Sequence, residues 1–385
     1  MPDHRSEGGE FTPPGMLSRN ERTILSLIRR GGPMPRAVLA QRIGLSAQAV
    51  TNLTRKLMAQ GYLDANEAVR GKVGQPSVPL ALAPDGAYFL GLKIGRRLAE
   101  LALVDFTGQV RMHRQEVHSH PDPARILAFA QQGLEALTTS LSAAQQARIT
   151  GLGIAAPYRL WDWGRQMRDW LDFDLRLELA RDLPFPVFLD NDATTACGAE
   201  LIFGTTALPR DFIHIYVAHF AGGGIVLDGA LRHGPTRNAG ALGSMPIPGS
   251  GAAGGQLLDR ASVSALERRI GHPLPPDDAG WTVSPAIEAD WVEEAGRAMA
   301  FVALSAAALV DLPMVVIDGA VPGPTRARLA HATREALAAM PAAGIDRPVV
   351  IEGSLGRRAR ILGAAGLPLS HFFQPDGRLD AGDWP

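Results

Sequence analysis

Three scarcities bound the problem. Cys197 is the single cysteine among 385 residues, so an internal disulfide and any multi-cysteine metal cluster are excluded. The residues around it, DATTACGAE, are small; the thiol reads as a buried small hydrophobe, with a reactive role as the alternative. No run of about 18 apolar residues occurs, the length a membrane-crossing helix needs. The first 20 residues, MPDHRSEGGEFTPPGMLSRN, lack the basic start and apolar stretch of a signal peptide. The expectation is a cytoplasmic protein with no membrane partner and a disordered tail over residues 1–18. Net charge is also scarce: −1 over the chain, which argues against a general polyanion binder.

That small net charge is unevenly spread. Arg19, Arg22, Arg29, Arg30, Arg36, Arg42, Arg55, Lys56, Arg70 and Lys72 face only Glu21, Asp64 and Glu67 over residues 19–72. A basic surplus confined to one segment is the footprint of a nucleic-acid module joined to a neutral domain. NERTILSLIRRGG places Ile24, Leu25, Leu27 and Ile28 at helical spacing, with Asn20 able to cap and the Gly31-Gly32 pair to stop the helix. A second short helix ends at Gly44, and a third starts after the capping residue Ser46.

In the third helix Val50, Leu53 and Leu57 are expected to point inward. Ser46, Ala47, Gln48, Thr51, Asn52, Arg55 and Lys56 are then left to face a DNA groove, where amides suit adenine and guanidinium suits guanine. A helical hairpin with a polar solvent face is the plainer alternative. GYLDANEAVRGKVGQPSVPLALAP favours the former, because it reads as strand, basic turn and second strand at 78–82, a wing carrying Arg70, Lys72 and Gln75 to phosphate or minor groove. Together residues 19–84 form a winged helix-turn-helix whose partner is a double-stranded DNA operator.

From Ala87 onward short apolar strands alternate with helical stretches: AYFLGLKIG, LAELALVDFTG, ITGLGIAAP, PVFLDND, PMVVIDGAV and RPVVIEGSLG. The class is α/β, with the unit built twice. VFLDNDATTACGAE, residues 187–200, is a strand ending in Asn191-Asp192 before a small-residue helix. On these segments the chain resembles the ROK family of repressors, open reading frames and sugar kinases, from about residue 20 to near the end. The resemblance implies a two-lobed actin-like ATPase (ROK sugar-kinase-like) fold over residues 85–385, behind the winged helix. It also implies that Asp192 matches the kinases' general base and Asn191 a sugar contact. Read without the resemblance, Asn-Asp is a turn that caps the following helix.

Three departures from the family pattern stand out. Where the kinases' first hairpin carries a metal-holding aspartate, FLGLKIGRRLAELALVDFTG has Lys93, with Arg96 and Arg97 at the turn; a cation does not hold a metal ion. Where relatives have a Gly-Thr-Gly-Ile-Gly phosphate loop, this chain has Ala218, His219, Phe220, Ala221 and Gly222, which crowd the space, while Gly223 and Gly224 are read as keeping the turn. Where relatives bind zinc, Ala241, Ser244, Gly249, Gly251 and Gln256 replace the glutamate, histidine and cysteines, and Leu258 replaces a sugar-contacting glutamate beside Asp259. The expectation is no metal, no cofactor and no enzyme activity.

A ligand site is still expected. Asn191 and Asp192 remain, Asp259 can partly substitute for its lost neighbour, and APYRLWDWGRQMRDWLDFDL places Tyr158, Trp161, Trp163 and Trp170 near a cleft in the family's arrangement. Aromatic faces beside Asp and Arg suit a sugar; core or dimer packing is the alternative for the tryptophans. The resulting expectation is a transcriptional regulator, a repressor of carbohydrate metabolism genes, that senses a carbohydrate-like small molecule as a homodimer or tetramer. A sugar kinase with an added DNA module and a ligand-free dimerisation platform are the alternatives.

Overall fold

The computed structural model describes residues 16–67, 78–248, 255–276 and 280–375. Of these, the residues up to Asp190 together with those from Ala364 onward form one compact unit, and those from Asn191 to Gly363 form a second.

The first unit opens with α1 (Arg19–Gly31), β1 (Met34–Pro35), α2 (Arg36–Ile43), α3 (Ala47–Ala59), β2 (Leu63–Ala65) and β3 (Pro79–Leu82), the strands pairing in the order β1-β3-β2. Ile24, Leu25 and Ile28 of α1 are buried, as are Leu39 of α2 and Val50 and Leu57 of α3, one apolar stripe from each helix. The cap of α1 is Ser18 rather than Asn20. Its hydroxyl accepts the Glu21 N–H at 3.3 Å and its own N–H donates to the Glu21 carboxylate at 2.7 Å, a reciprocal capping box. Leu17 is buried beside it, so the expected tail does not include Leu17 or Ser18; residues 1–15 lie outside the described residues.

The same unit continues through β4 (Tyr88–Ile94), β5 (Leu98–Asp105), β6 (Val110–Val117), α4 (Pro123–Thr139), α5 (Ala143–Gln146), β7 (Ile149–Ala156), α6 (Leu175–Asp182) and β8 (Val187–Asn191). The sheet order is β6-β5-β4-β7-β8, with β4 and β7 parallel and β4, β5 and β6 antiparallel in turn. Every residue of β4 and β7 is buried, as strands covered on both faces require. On the edge strand β6, Arg111, His113, Arg114 and Gln115 are exposed, and charge there discourages pairing with another chain.

The second unit holds α7 (Asp192–Phe203), β9 (Phe212–Val217), β10 (Ala221–Leu227), β11 (Ala230–Arg232), β12 (Pro246–Ile247), β13 (Gly255–Gln256), α8 (Leu258–Ala261), α9 (Val263–Ile270), α10 (Pro285–Val310), β14 (Met314–Gly319), α11 (Gly323–Ala339) and β15 (Val349–Glu352). Its five-stranded sheet runs β11-β10-β9-β14-β15. Counted in chain order within each unit, both large sheets read 3-2-1-4-5, so the α/β unit is indeed built twice. The last helix, α12 (Ala359–Phe373), begins in the second unit and ends in the first.

Within the first unit the winged helix is fastened to the α/β sheet. Arg29 of α1 donates to the Phe106 carbonyl at 2.6 Å, with its guanidinium 5.0 Å from that ring's centre. Tyr62, Phe89, Phe106 and Phe373 form an aromatic cluster, with Phe106 and Phe373 at 4.9 Å and Tyr62 and Phe373 at 5.4 Å between centroids. Arg148 donates to the Gly86 carbonyl at 2.9 Å, and Ser26 to the side chain of Gln374 at 2.9 Å. Phe373 is buried, so the HFFQ portion of the carboxy-terminal stretch packs on the domain; residues 376–385 lie outside the described residues.

Candidate nucleic-acid interface and effector site

The helix-turn-helix geometry rests on Gly44, whose φ of 74° ends α2 in the left-handed region that glycine adopts at low cost. Ser46 then caps α3, accepting the Ala49 N–H at 3.2 Å. Ser46, Ala47, Gln48, Asn52, Arg55 and Lys56 are exposed together along α3. The Gln48 amide donates to Asn52 at 3.2 Å, lining two amides along one face, while Thr51 is half-buried and its hydroxyl is held by the Ala47 carbonyl at 2.8 Å.

Lys56 is less available than the others. It pairs at 2.8 Å with Glu21, which is wholly buried. Burial opposes ionisation of Glu21, but hydrogen bonds from Lys56 and Ser18 outweigh it and hold the carboxyl below the ordinary carboxylate range. Leu53 is half-buried, and Thr54 takes the inward place beside Val50 and Leu57, its hydroxyl satisfied by the Val50 carbonyl at 2.8 Å. Arg70, Lys72 and Gln75 lie outside the described residues.

In the first hairpin Lys93 is buried and reaches along it to Glu100 at 2.8 Å and to the Leu98 carbonyl at 3.2 Å. Glu100 in turn faces His113 at 3.3 Å. The sequence showed the lysine; it did not show that Glu100, seven residues on and directly across the β4–β5 ladder, would neutralise it. Period-two alternation places both side chains on one sheet face, and that signal was available.

The corresponding loop of the second unit is filled by packing. His219 lies 3.6 Å from Glu267 and in edge contact with Phe220, and the carbonyls of Ala218 and His219 accept the N–H groups of Val263 and Ser264 at the start of α9. Gly223 and Gly224, like Gly222, are strand residues of β10, not a turn. A Cβ at Gly222 would stand 2.5 Å from that of Ala193, and one at Gly224 2.5 Å from that of Cys197, so these glycines let α7 press onto the strand. Cys197 is wholly buried there, and burial pushes its thiol well above the ordinary range, as expected for a packing residue.

Asn191 caps α7, its side-chain oxygen accepting the Ala193 N–H at 3.0 Å and that of Thr194 at 3.1 Å. Asp192 accepts a charge-assisted hydrogen bond from Arg360 of α12 at 2.9 Å, and Arg360 lies over the Tyr216 ring. Sequence reasoning missed Arg360, which is 168 residues from Asp192 and belongs to no motif. Asp259 is exposed, with its carboxylate turned back to accept the Gln256 N–H at 2.8 Å. Ala241 and Ser244 flank the buried Leu242 and Gly243, whereas Gly249 and Gly251 lie outside the described residues.

Trp161 and Trp170 belong to the first unit. Trp170 is a core residue: it is buried, its indole N–H donates to the Pro121 carbonyl at 2.7 Å, and its ring meets Phe173 edge-on. With both its polar and apolar surface used internally, it has nothing left for a ligand. Trp161 is half-buried against the same core and keeps part of its surface open; the side chain of Trp163 lies outside the described residues.

Comparison with known proteins places these features. The model of the ROK family matches residues 89–370, and a winged helix-turn-helix DNA-binding model matches residues 17–64. Uncharacterized protein y4fQ of Sinorhizobium fredii is 26% identical over 366 residues, covering 93% of this chain and 92% of that one. The Xylose repressor of Bacillus subtilis is 22% identical over 237 residues, 60% of this chain and 61% of the relative. DNA-binding transcriptional repressor Mlc of Escherichia coli is 25% identical over 238 residues, 57% of each. The match thus spans less than two thirds of either named repressor. Among solved structures, a ROK family transcriptional regulator described as a homolog of the E. coli MLC protein superposes with a TM-score of 0.64 at 20% identity, over 94% of this chain and 98% of that one. A ROK family glucokinase from Streptomyces griseus gives 0.57 at 20% identity, over 73% and 99%. At these identities the structural likenesses speak to the fold.

Proposed function

The chain belongs to the ROK family and carries a winged helix-turn-helix ahead of the family domain; on that premise we propose that it is a DNA-binding transcriptional regulator, a repressor of carbohydrate metabolism genes, without phosphotransferase activity. The observation that carries this reading is the exposed face of α3, where Gln48, Asn52 and Arg55 stand together on a module fastened to the α/β sheet through Arg29, Tyr62, Phe106 and Phe373. The Lys93–Glu100 pair and the filled loop at Phe220 support the absence of phosphoryl transfer, since the first hairpin's Glu100 is already engaged by Lys93 and side chains crowd the second loop. The relatives named as repressors support the direction of regulation.

In this reading the protein acts in the cytoplasm as a homodimer or tetramer, so that two recognition helices meet two half-sites. A carbohydrate-like molecule binds near Asn191, Asp192 and Asp259. A ligand that prefers one arrangement of the protein lowers operator affinity by that preference and no more. Because Asp192 is paired with Arg360, a sugar hydroxyl meets an ion pair rather than a lone base. That pair, with Asn191 engaged as a cap, also favours a second reading, in which the family domain binds no effector and serves only to dimerise.

Selection of duplexes from a randomised DNA pool, read by sequencing, tests the function. The expected product is a paired half-site motif, and Gln48→Ala or Arg55→Ala should each cost about 1–3 kcal/mol on that site. No enrichment, or two variants binding as tightly as the parent, would overturn it. Thermal shift with sugars, sugar acids and sugar phosphates separates the two readings: a rise with one carbohydrate supports an effector, and no rise with any supports the platform. ADP release with the same panel checks for residual kinase activity, expected at background.

A further inference from the structure

A buried cluster in the second unit has no part in the DNA reading or in the effector site. Strand alternation in β9 puts Phe212, His214 and Tyr216 on the face covered by α7, and the parallel neighbour β14 sets Asp318 in register with Tyr216. Glu200 comes down from α7. Glu200, His214 and Asp318 are all essentially unexposed, and their donor atoms all lie within 4.8 Å of one another.

The hydrogen bonding of this cluster is unbalanced. Glu200 accepts from the Ser354 N–H and hydroxyl, the latter at 2.8 Å, but no Lys or Arg among the described residues pairs with it. Asp318 accepts from the Gly319 N–H at 2.8 Å and the Gly356 N–H at 3.1 Å, with Arg326 at 3.5 Å. The other oxygen of Asp318 faces His214 Nε2 at 3.9 Å, too far for a hydrogen bond. Neither ring nitrogen of His214 has a hydrogen-bond partner, although the side chain is 0% exposed. A wholly buried imidazole with two idle nitrogens is costly, and so is a buried carboxylate without a cation.

One occupant would engage one of the idle ring nitrogens and supply the missing positive charge. We propose that Glu200, His214 and Asp318 form a structural site for a divalent transition-metal ion, zinc being the best fit to one imidazole and two carboxylates. Nitrogen and oxygen donors bind zinc at about 2.0–2.2 Å, so ligand atoms around it stand about 3.3–3.5 Å apart. The side chains therefore close in by no more than about 1.5 Å, within the reach of a rotamer adjustment. An imidazole ligand disfavours magnesium and calcium, which take oxygen donors. The ion would tie α7, which begins at Asp192, to β9 and β14.

The test uses the full chain without an affinity tag, expressed in medium supplied with zinc, manganese and iron, passed through gel filtration in EDTA, and read by elemental mass spectrometry. The expected content is about one ion per chain, because a site closed to solvent releases metal slowly. His214→Leu and Asp318→Asn should lower it about ten-fold or more. Less than about a tenth of an ion in the parent chain, or an undiminished content in folded His214→Leu, overturns the proposal. If the variants do not fold, the parent decides: unfolded in guanidinium with EDTA and refolded with or without zinc, it should melt several degrees higher with the ion, and equal midpoints overturn the site.

Discussion

Between β4 and β5 a buried ammonium faces a carboxylate; between β9 and β10, at the same place in the same strand order, a phenylalanine and an imidazole crowd a loop whose following strand is pressed by a helix. Each hairpin is filled, but by different physics. The first is held by charge: Lys93 and Glu100 neutralise each other within the hairpin. The second is held by shape, with β10 glycines admitting α7 so closely that a single methyl group would collide. The difference teaches that one hairpin is sensitive to losing a partner and the other to gaining volume.

The largest expected effect breaks the charged side of this contrast. Lys93→Ala takes its nearest cation from the half-buried Glu100, leaving His113 opposite it, and should cost about 3 kcal/mol, measured by urea unfolding. Replacing both, Lys93→Met with Glu100→Leu, should return most of that loss, because no charge is then stranded. A double variant as unstable as the single one would mean that the hairpin depends on packing after all. On the other side, Gly224→Ala drives a methyl against Cys197 and should cost about 1–3 kcal/mol. Adding Cys197→Gly should relieve it in part, whereas salt should change neither variant's loss. A Gly224→Ala chain with unaltered stability would show that α7 can retreat.

How much of this was legible in the sequence differs along the chain. The helix-turn-helix could be read because its signals are local: an apolar stripe, Gly44 at the end of one helix, Ser46 at the start of the next. Even there Ser18 rather than Asn20 caps α1, since both are capping residues and only the reciprocal bond with Glu21 decides between them. The substitutions at Lys93 and Phe220 could be seen as departures; hairpin alternation signalled Glu100 as the partner of Lys93, whereas Glu267 becomes the partner of His219 only through helix placement. Arg360 was invisible for the same reason. Trp170 was misjudged because a tryptophan near Asp and Arg looks alike whether its N–H serves a ligand or, as here, the Pro121 carbonyl.

The smallest effect sharpens the contrast by pH. His118 is buried and belongs to the first hairpin's surroundings, its Nε2 3.0 Å from the Gly95 carbonyl and its Nδ1 without a partner. Nε2 is therefore the donor, and a second proton on Nδ1 would have no acceptor. Burial lowers its pKa from about 6.5, with Lys93 and Arg125 acting the same way and the Gly95 bond and Glu116 opposing. A folded-state pKa below the unfolded one means that the unfolded chain takes up the proton first as pH falls. The contribution to stability is thus fully present above about 6.5 and is lost progressively below it. Urea midpoints measured from pH 7.5 to 5.5 should fall more steeply for the parent than for His118→Gln, which has no proton to take up. Parallel slopes would mean that His118 titrates alike in both states, so that the hairpin's sensitivity to charge does not extend to His118.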